Sequence, residues 1–150
     1  MPQSLARLLV HVIFSTKYRA AVLSPEMRPD LYAYLSTVLR DQDCPSIRIG
    51  GVEDHVHLFF TLSRKLPLAK IVEIVKVSSS KWLKLQSPEF SDFRWQGGYG
   101  AFSVSPSQLE TVSHYIENQE KHHREVSFQD EMRSFLHRHE IEFDERYVWD

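Results

Sequence analysis

The chain has 150 residues, 42% of them hydrophobic, with one cysteine and a formal net charge of −2. That length buries one ordinary core and leaves little for a second, while the near-neutral charge excludes a protein that coats nucleic acid by bulk attraction. Cys44 has no partner for a disulfide or a thiol-based metal site. No apolar run approaches the ~20 residues a membrane span needs, and the start lacks a signal peptide's pattern, so the expectation is a cytoplasmic protein with no membrane part.

Residues 8–16 (LLVHVIFST) read as a strand buried on both faces. Ser24-Pro25 opens a helix whose apolar positions Leu31, Leu35, Val38 and Leu39 recur until Asp41 and Asp43. Residues 46–52 and 56–62 read as strands joined by Glu53-Asp54, a hairpin. From Pro67, the stripe Leu68, Ile71, Val72, Val75, Ser79 and Trp82 predicts a long amphipathic helix to about Leu85. Residues 93–104 suggest a fourth strand with a bend at Gly97-Gly98, and Ser105-Pro106 starts a helix running to about His122. Residues 127–139 read as a short helix with Phe128, Met132, Phe135 and Leu136 inward, and 141–150 as a tail docked on the body or on a partner.

Strand, helix, strand, strand, helix, strand is the order of the α+β ferredoxin-like split unit, an antiparallel sheet with two helices on one face. The expectation is one domain over 1–150: a core of about 5–123, with the third helix as an appendage, and a C-terminal helical tail of about 127–150 assigned to packing.

Two features carry chemistry. In Asp54-His55-Val56-His57-Leu58 the histidines alternate along a strand, so both imidazoles project from one face, roughly 6 to 7 Å apart at the backbone. They can share an ion or simply sit on a half-buried strand. In Tyr115-Ile116-Glu117-Asn118-Gln119 the four-residue spacing stacks tyrosine and glutamine on one flank of a helix. A phenol with an ordinary pKa near 10 is a poor nucleophile at neutral pH, and a divalent cation on the phosphate would supply the missing charge. Two imidazoles and an amide oxygen suit Mg2+ or Mn2+. His122 and His123, three and four residues past Gln119, are alternative ligands, and His114 projects away.

These motifs together resemble the single-tyrosine HUH transposases of the insertion sequence 200/605 group. Residues 11–19 (HVIFSTKYR) look like that family's first strand, 54–58 (DHVHL) its histidine motif and 115–119 (YIENQ) its nucleophile helix. The resemblance implies His55, His57 and Gln119 as metal ligands, and Tyr115 as a nucleophile that forms a 5'-phosphotyrosine. It also implies single-stranded DNA with hairpin ends as substrate, and a homodimer whose active sites are shared between subunits. Two cleavages with one well-placed tyrosine per chain also favour a dimer. Lys17, Tyr18 and Arg19 resemble the family's basic-aromatic segment and are expected to clamp phosphate. Lys70, Lys81 and Lys84 share an arc of the second helix, a basic stripe that follows a hairpin backbone or is simply an ordinary solvated helix face. Trp95 and Tyr99 could stack on bases, with core packing the first expectation. Competing readings are a domesticated palindrome-associated tyrosine transposase, a relaxase or replication initiator, and a noncatalytic nucleic-acid-binding module of the same fold. An RNA-recognition aromatic pattern and the second His-x-Ser/Thr motif of a two-histidine phosphoesterase are both absent.

Overall fold

The computed structural model describes residues 2–150. Four strands, β1 (Leu9–Ser15), β2 (Ser46–Gly51), β3 (His55–Thr61) and β4 (Gly100–Val104), alternate with α1 (Arg28–Asp41) and α2 (Leu68–Gln86). They are followed by α3 (Leu109–Glu117), α4 (Gln119–His122) and α5 (Phe128–Arg138). The sheet order is β2-β3-β1-β4 with every neighbouring pair antiparallel, which is the ferredoxin-like arrangement the element order implied.

The run of β1, apolar but for His11 and Ser15, is explained by cover on both faces. On one face Val12 and Phe14 of β1 and Val56, Leu58 and Phe60 of β3 meet Leu31, Leu35 and Leu39 of α1 and Ile71, Val72 and Val75 of α2. Trp95 joins this core, edge-on to Phe14 and Phe93, and its indole N–H donates to Ser79 Oγ at 2.9 Å. Tyr99 is 39% exposed. On the opposite face Leu9 and Phe59 pack against Ile116 of α3, while Ile13 and Phe102 pack against Phe128, Met132, Phe135 and Leu136 of α5.

The third helix is therefore a layer of the fold and not an appendage. Two glycines allow its approach and that of α5. A Cβ on Gly50 would lie 2.8 Å from Ile116, and one on Gly100 would lie 2.8 Å from the Met132 sulfur. A larger residue at Gly50 would meet the Ile116 carbonyl, also at 2.8 Å, and push α3 off the sheet, whereas at Gly100 the flexible Met132 side chain would have to move aside.

Boundaries depart from expectation where local chemistry intervenes. The first helix starts at Arg28 and not at Ser24-Pro25, since residues 25–27 form a turn. The fourth strand begins at Gly100 and not at Phe93, and Trp95 keeps only an isolated bridge to Thr16. The helix expected to run to His122 is interrupted at Asn118, whose φ of −95° and ψ of 20° leave the helical range. The final residues close back on the fold, with the Gly97 amide donating to the Asp150 carbonyl at 2.6 Å.

Candidate active site

Strand pairing places His55 and His57 on the sheet face covered by α3 and α5, and both are fully buried. The His55 Nδ1 lies 2.7 Å from Asp54 Oδ1, which leaves its Nε2 to face Gln119 Oε1 at 3.3 Å. Tyr115 and Gln119 reach the same spot from the helix above, because their spacing sets them one turn apart. Gln119 is 1% exposed, and the Tyr115 ring lies 5.9 Å from the His57 ring. All four residues singled out for chemistry thus converge within one chain.

The sequence reading missed the group at the centre. Glu131 of α5, assigned to packing only, is 2% exposed and aims its carboxylate between the histidines. Its Oε1 lies 3.0 Å from His57 Nε2 and 3.3 Å from His55 Nε2. Its Oε2 lies 3.1 Å from His123 Nε2, 3.3 Å from His122 Nε2 and 3.2 Å from Gln119 Nε2. The Tyr115 hydroxyl donates to that same oxygen and also lies 3.2 Å from His122 Nε2. A signal for Glu131 existed in the sequence, as an acidic residue set within an apolar stripe of Phe128, Met132 and Phe135. His114, by contrast, lies on the surface 3.5 Å from Glu117.

Electrostatics follow from this crowding. Burial alone would raise the Glu131 carboxyl, but His57, His123 and His55 together hold it well below the usual carboxylate range. Burial likewise disfavours a charge on His55, yet hydrogen bonds to Asp54 and Glu131 outweigh it and raise the imidazole to about 9. His57 falls to about 4, chiefly by burial. Burial also lowers His11, with repulsion from His57 adding to the effect. Tyr115 is pushed above the normal phenol range by burial and by the Glu131 charge, so the hydroxyl holds its proton.

His55, His57, His123 and Glu131 offer donor atoms that all lie within 4.8 Å of one another. The His123 Nε2 is buried there without a well-formed hydrogen bond. An orphaned imidazole nitrogen facing a carboxylate and two further imidazoles is a donor set that fits a divalent cation. Gln119 borders the same space.

The proposed DNA contacts divide between two places. Lys17, Tyr18 and Arg19 form a 3-10 turn at the end of β1, where the Thr16 amide donates to the Asp54 carbonyl at 2.9 Å. This turn therefore abuts the residue that holds His55. Tyr18 and Arg19 have φ of 59° and 56°, a left-handed conformation costing about 1–2 kcal/mol per residue, and Tyr18 is 80% exposed. Lys70, Lys81 and Lys84 are exposed on α2, on the far side of the sheet from the cluster.

Residues 4–119 match the family model described as transposase IS200 like, and the chain belongs to that family. It is 26% identical over 114 residues to the ISDra2 transposase TnpA of Deinococcus radiodurans, covering 73% of this chain and 81% of that relative. A crystal structure assigned to a transposase of Deinococcus radiodurans R1 superposes with a TM-score of 0.60 at 24% identity, over 79% of this chain and 98% of that one. A REP-associated tyrosine transposase bound to a REP hairpin superposes with a TM-score of 0.61 at 14% identity, over 84% and 74% of the two chains. These two superpositions carry the fold. The matched family segment ends at Gln119, so His123 and Glu131 lie beyond it. Among the described residues no helix is long and apolar enough to cross a membrane.

Proposed function

We propose that this transposase cleaves and rejoins single-stranded DNA through Tyr115, with hairpin recognition and a divalent metal held by His55, His57 and Glu131. His123 and Gln119 complete or border that site. The observation that carries the reading is the Tyr115 hydroxyl held against a buried His/Glu cluster that offers converging metal donors. A bound cation would supply Lewis-acid polarisation of the phosphate and offset negative charge in the transition state.

The chain's own residues supply the rest. The Tyr115 oxygen attacks phosphorus, a P–O bond to the 3' oxygen breaks, and the freed 3' oxygen leaves as a hydroxyl. The phenol proton passes to His122, whose Nε2 lies 3.2 Å from the hydroxyl, and is returned from there to the departing 3' oxygen, while Glu131, committed to the cation, orients the hydroxyl. The product is a 5'-phosphotyrosine that conserves the phosphodiester energy, so a 3' hydroxyl can later displace Tyr115 and rejoin the strand without ATP.

Three imidazoles with one carboxylate form a softer set than magnesium usually takes, which favours Mn2+ of the two expected ions. Lys17, Tyr18 and Arg19, beside Asp54, suit the cleaved strand, while Lys70, Lys81 and Lys84 are left to a hairpin stem. A homodimer supplies the two tyrosines that excision needs, in the cytoplasm where the element's DNA resides. The test incubates the protein with single-stranded hairpin oligonucleotides, with and without Mn2+. A denaturation-resistant adduct that requires the ion and vanishes in Tyr115→Phe is expected. Hairpin binding with no adduct under any metal would favour a noncatalytic binding module.

A further inference from the structure

The cluster contains two strand histidines, and each has its second ring nitrogen anchored differently. His55 is held through Nδ1 by the Asp54 carboxylate at 2.7 Å. His57 is held through Nδ1 by Nε2 of His11, at 2.8 Å. His11 is 1% exposed and His57 is fully buried. Register explains the meeting: Ile13 of β1 pairs with His57 of β3, so His11, two residues earlier, stands diagonally across on the same face. The two rings are inclined by only 28° and their nitrogens are at hydrogen-bond distance, so they meet edge to edge. Phe135 and Tyr115 close on the His11 ring with centroids at 5.2 and 6.5 Å, both near perpendicular, and restrict its rotation.

The geometry points to His11 as a positioning residue that orients His57 toward a divalent cation, a role that rests on the cluster being the metal site. Two states of His57 make different demands. With its Nε2–H donating to Glu131 at 3.0 Å, a neutral His57 has a bare Nδ1 and needs a donor. With Nε2 given to a cation, the ring proton sits on Nδ1 and needs an acceptor. Neutral imidazole serves both by exchanging tautomers, whereas a carboxylate could only accept and an ammonium could only donate. His11 therefore holds the ring in one orientation while its Nε2 changes from Glu131 to metal. Removing it would leave a buried N–H without a partner in the metal-bound state, a penalty that weakens metal binding.

The experiment measures Mn2+ affinity by the paramagnetic resonance signal of the free ion, for wild type, His11→Leu and His11→Gln at one pH. Melting in EDTA reports the fold of each. The amide of Gln can donate or accept, so His11→Gln should retain affinity within a few fold, while His11→Leu should lose about 10- to 100-fold. If His11→Leu does not fold, ring 15N spectra of the wild type decide. On adding Mg2+, His57 should carry its proton on Nδ1 and His11 on its own Nδ1. Wild-type affinity in folded His11→Leu, or a His57 proton that stays on Nε2 in the Mg2+-bound protein, overturns the role. A wild type that binds no Mn2+ overturns the metal reading beneath it.

Discussion

The Tyr115 hydroxyl donates to the carboxylate of Glu131, sixteen residues later in the chain, and that carboxylate also touches both histidines of the DHVHL strand. One buried anion thus joins the helix after β4 to the C-terminal helix and the sheet. Removing it as Glu131→Ala leaves the protonated His55 without its counter-charge, and His57 and the phenol without their acceptor. The metal-free protein should lose about 3–5 kcal/mol, as for a buried ion pair deprived of one partner. Urea unfolding in EDTA measures this, and a loss below about 1 kcal/mol would contradict the arrangement.

Metal binding should depend on pH through His55. Its folded value of about 9 exceeds the ~6.5 of an unfolded imidazole, so this group's stabilisation of the metal-free fold is complete below the unfolded value and is lost as pH rises through about 9. A cation needs the same Nε2 lone pair, so it must displace a proton. Apparent Mn2+ affinity should therefore rise about tenfold per unit between pH 7 and 8.5, while the melting temperature in EDTA falls in step. His57, lowered to about 4, adds no such dependence in this range. An affinity flat with pH would contradict a proton on His55.

The two basic regions should separate functionally. Lys17 and Arg19 flank the residues next to His55, so Lys17→Gln with Arg19→Gln should weaken binding of an unstructured strand and slow adduct formation. The slope of log affinity against log salt should fall by about 0.7 for each phosphate that the variant no longer neutralises. Neutralising Lys70, Lys81 and Lys84, across the sheet, should weaken hairpin binding and spare adduct formation on the unstructured strand. Equal effects of both sets on both substrates would sink the division.

Tyr115 meets the histidines of its own chain. Mixing Tyr115→Phe subunits with His57→Ala subunits should then yield no adduct, since neither chain carries both groups. Recovery of activity in the mixture would instead reveal exchange of the tyrosine helix between subunits, the arrangement implied by family resemblance.

Strand periodicity made the shared face of His55 and His57 legible, and helical spacing did the same for Tyr115 and Gln119. Their convergence could not be read, because it depends on how α3 crosses the sheet at Gly50. Glu131 was hidden because the stripe around it is sufficient for packing, and a helix face does not announce what lies opposite. His123 was one of two adjacent candidates, and the sequence did not show that both reach the Glu131 carboxylate while only His123 joins the donor set. Element order disclosed the sheet topology, and the apolar run of β1, broken only by His11, disclosed cover on both faces, but neither it nor the inward stripe of residues 127–139 showed that α3 and α5 cover the second face together.

The central claim is tested most directly by locating the covalent bond. Wild-type protein is incubated with Mn2+ and a single-stranded hairpin carrying its cleavage site, digested with protease and nuclease, and the nucleotide-bearing peptide is sequenced by mass spectrometry. A 5'-phosphodeoxynucleotide on Tyr115 is the predicted result. The same modification on another tyrosine, such as Tyr18, would contradict the account.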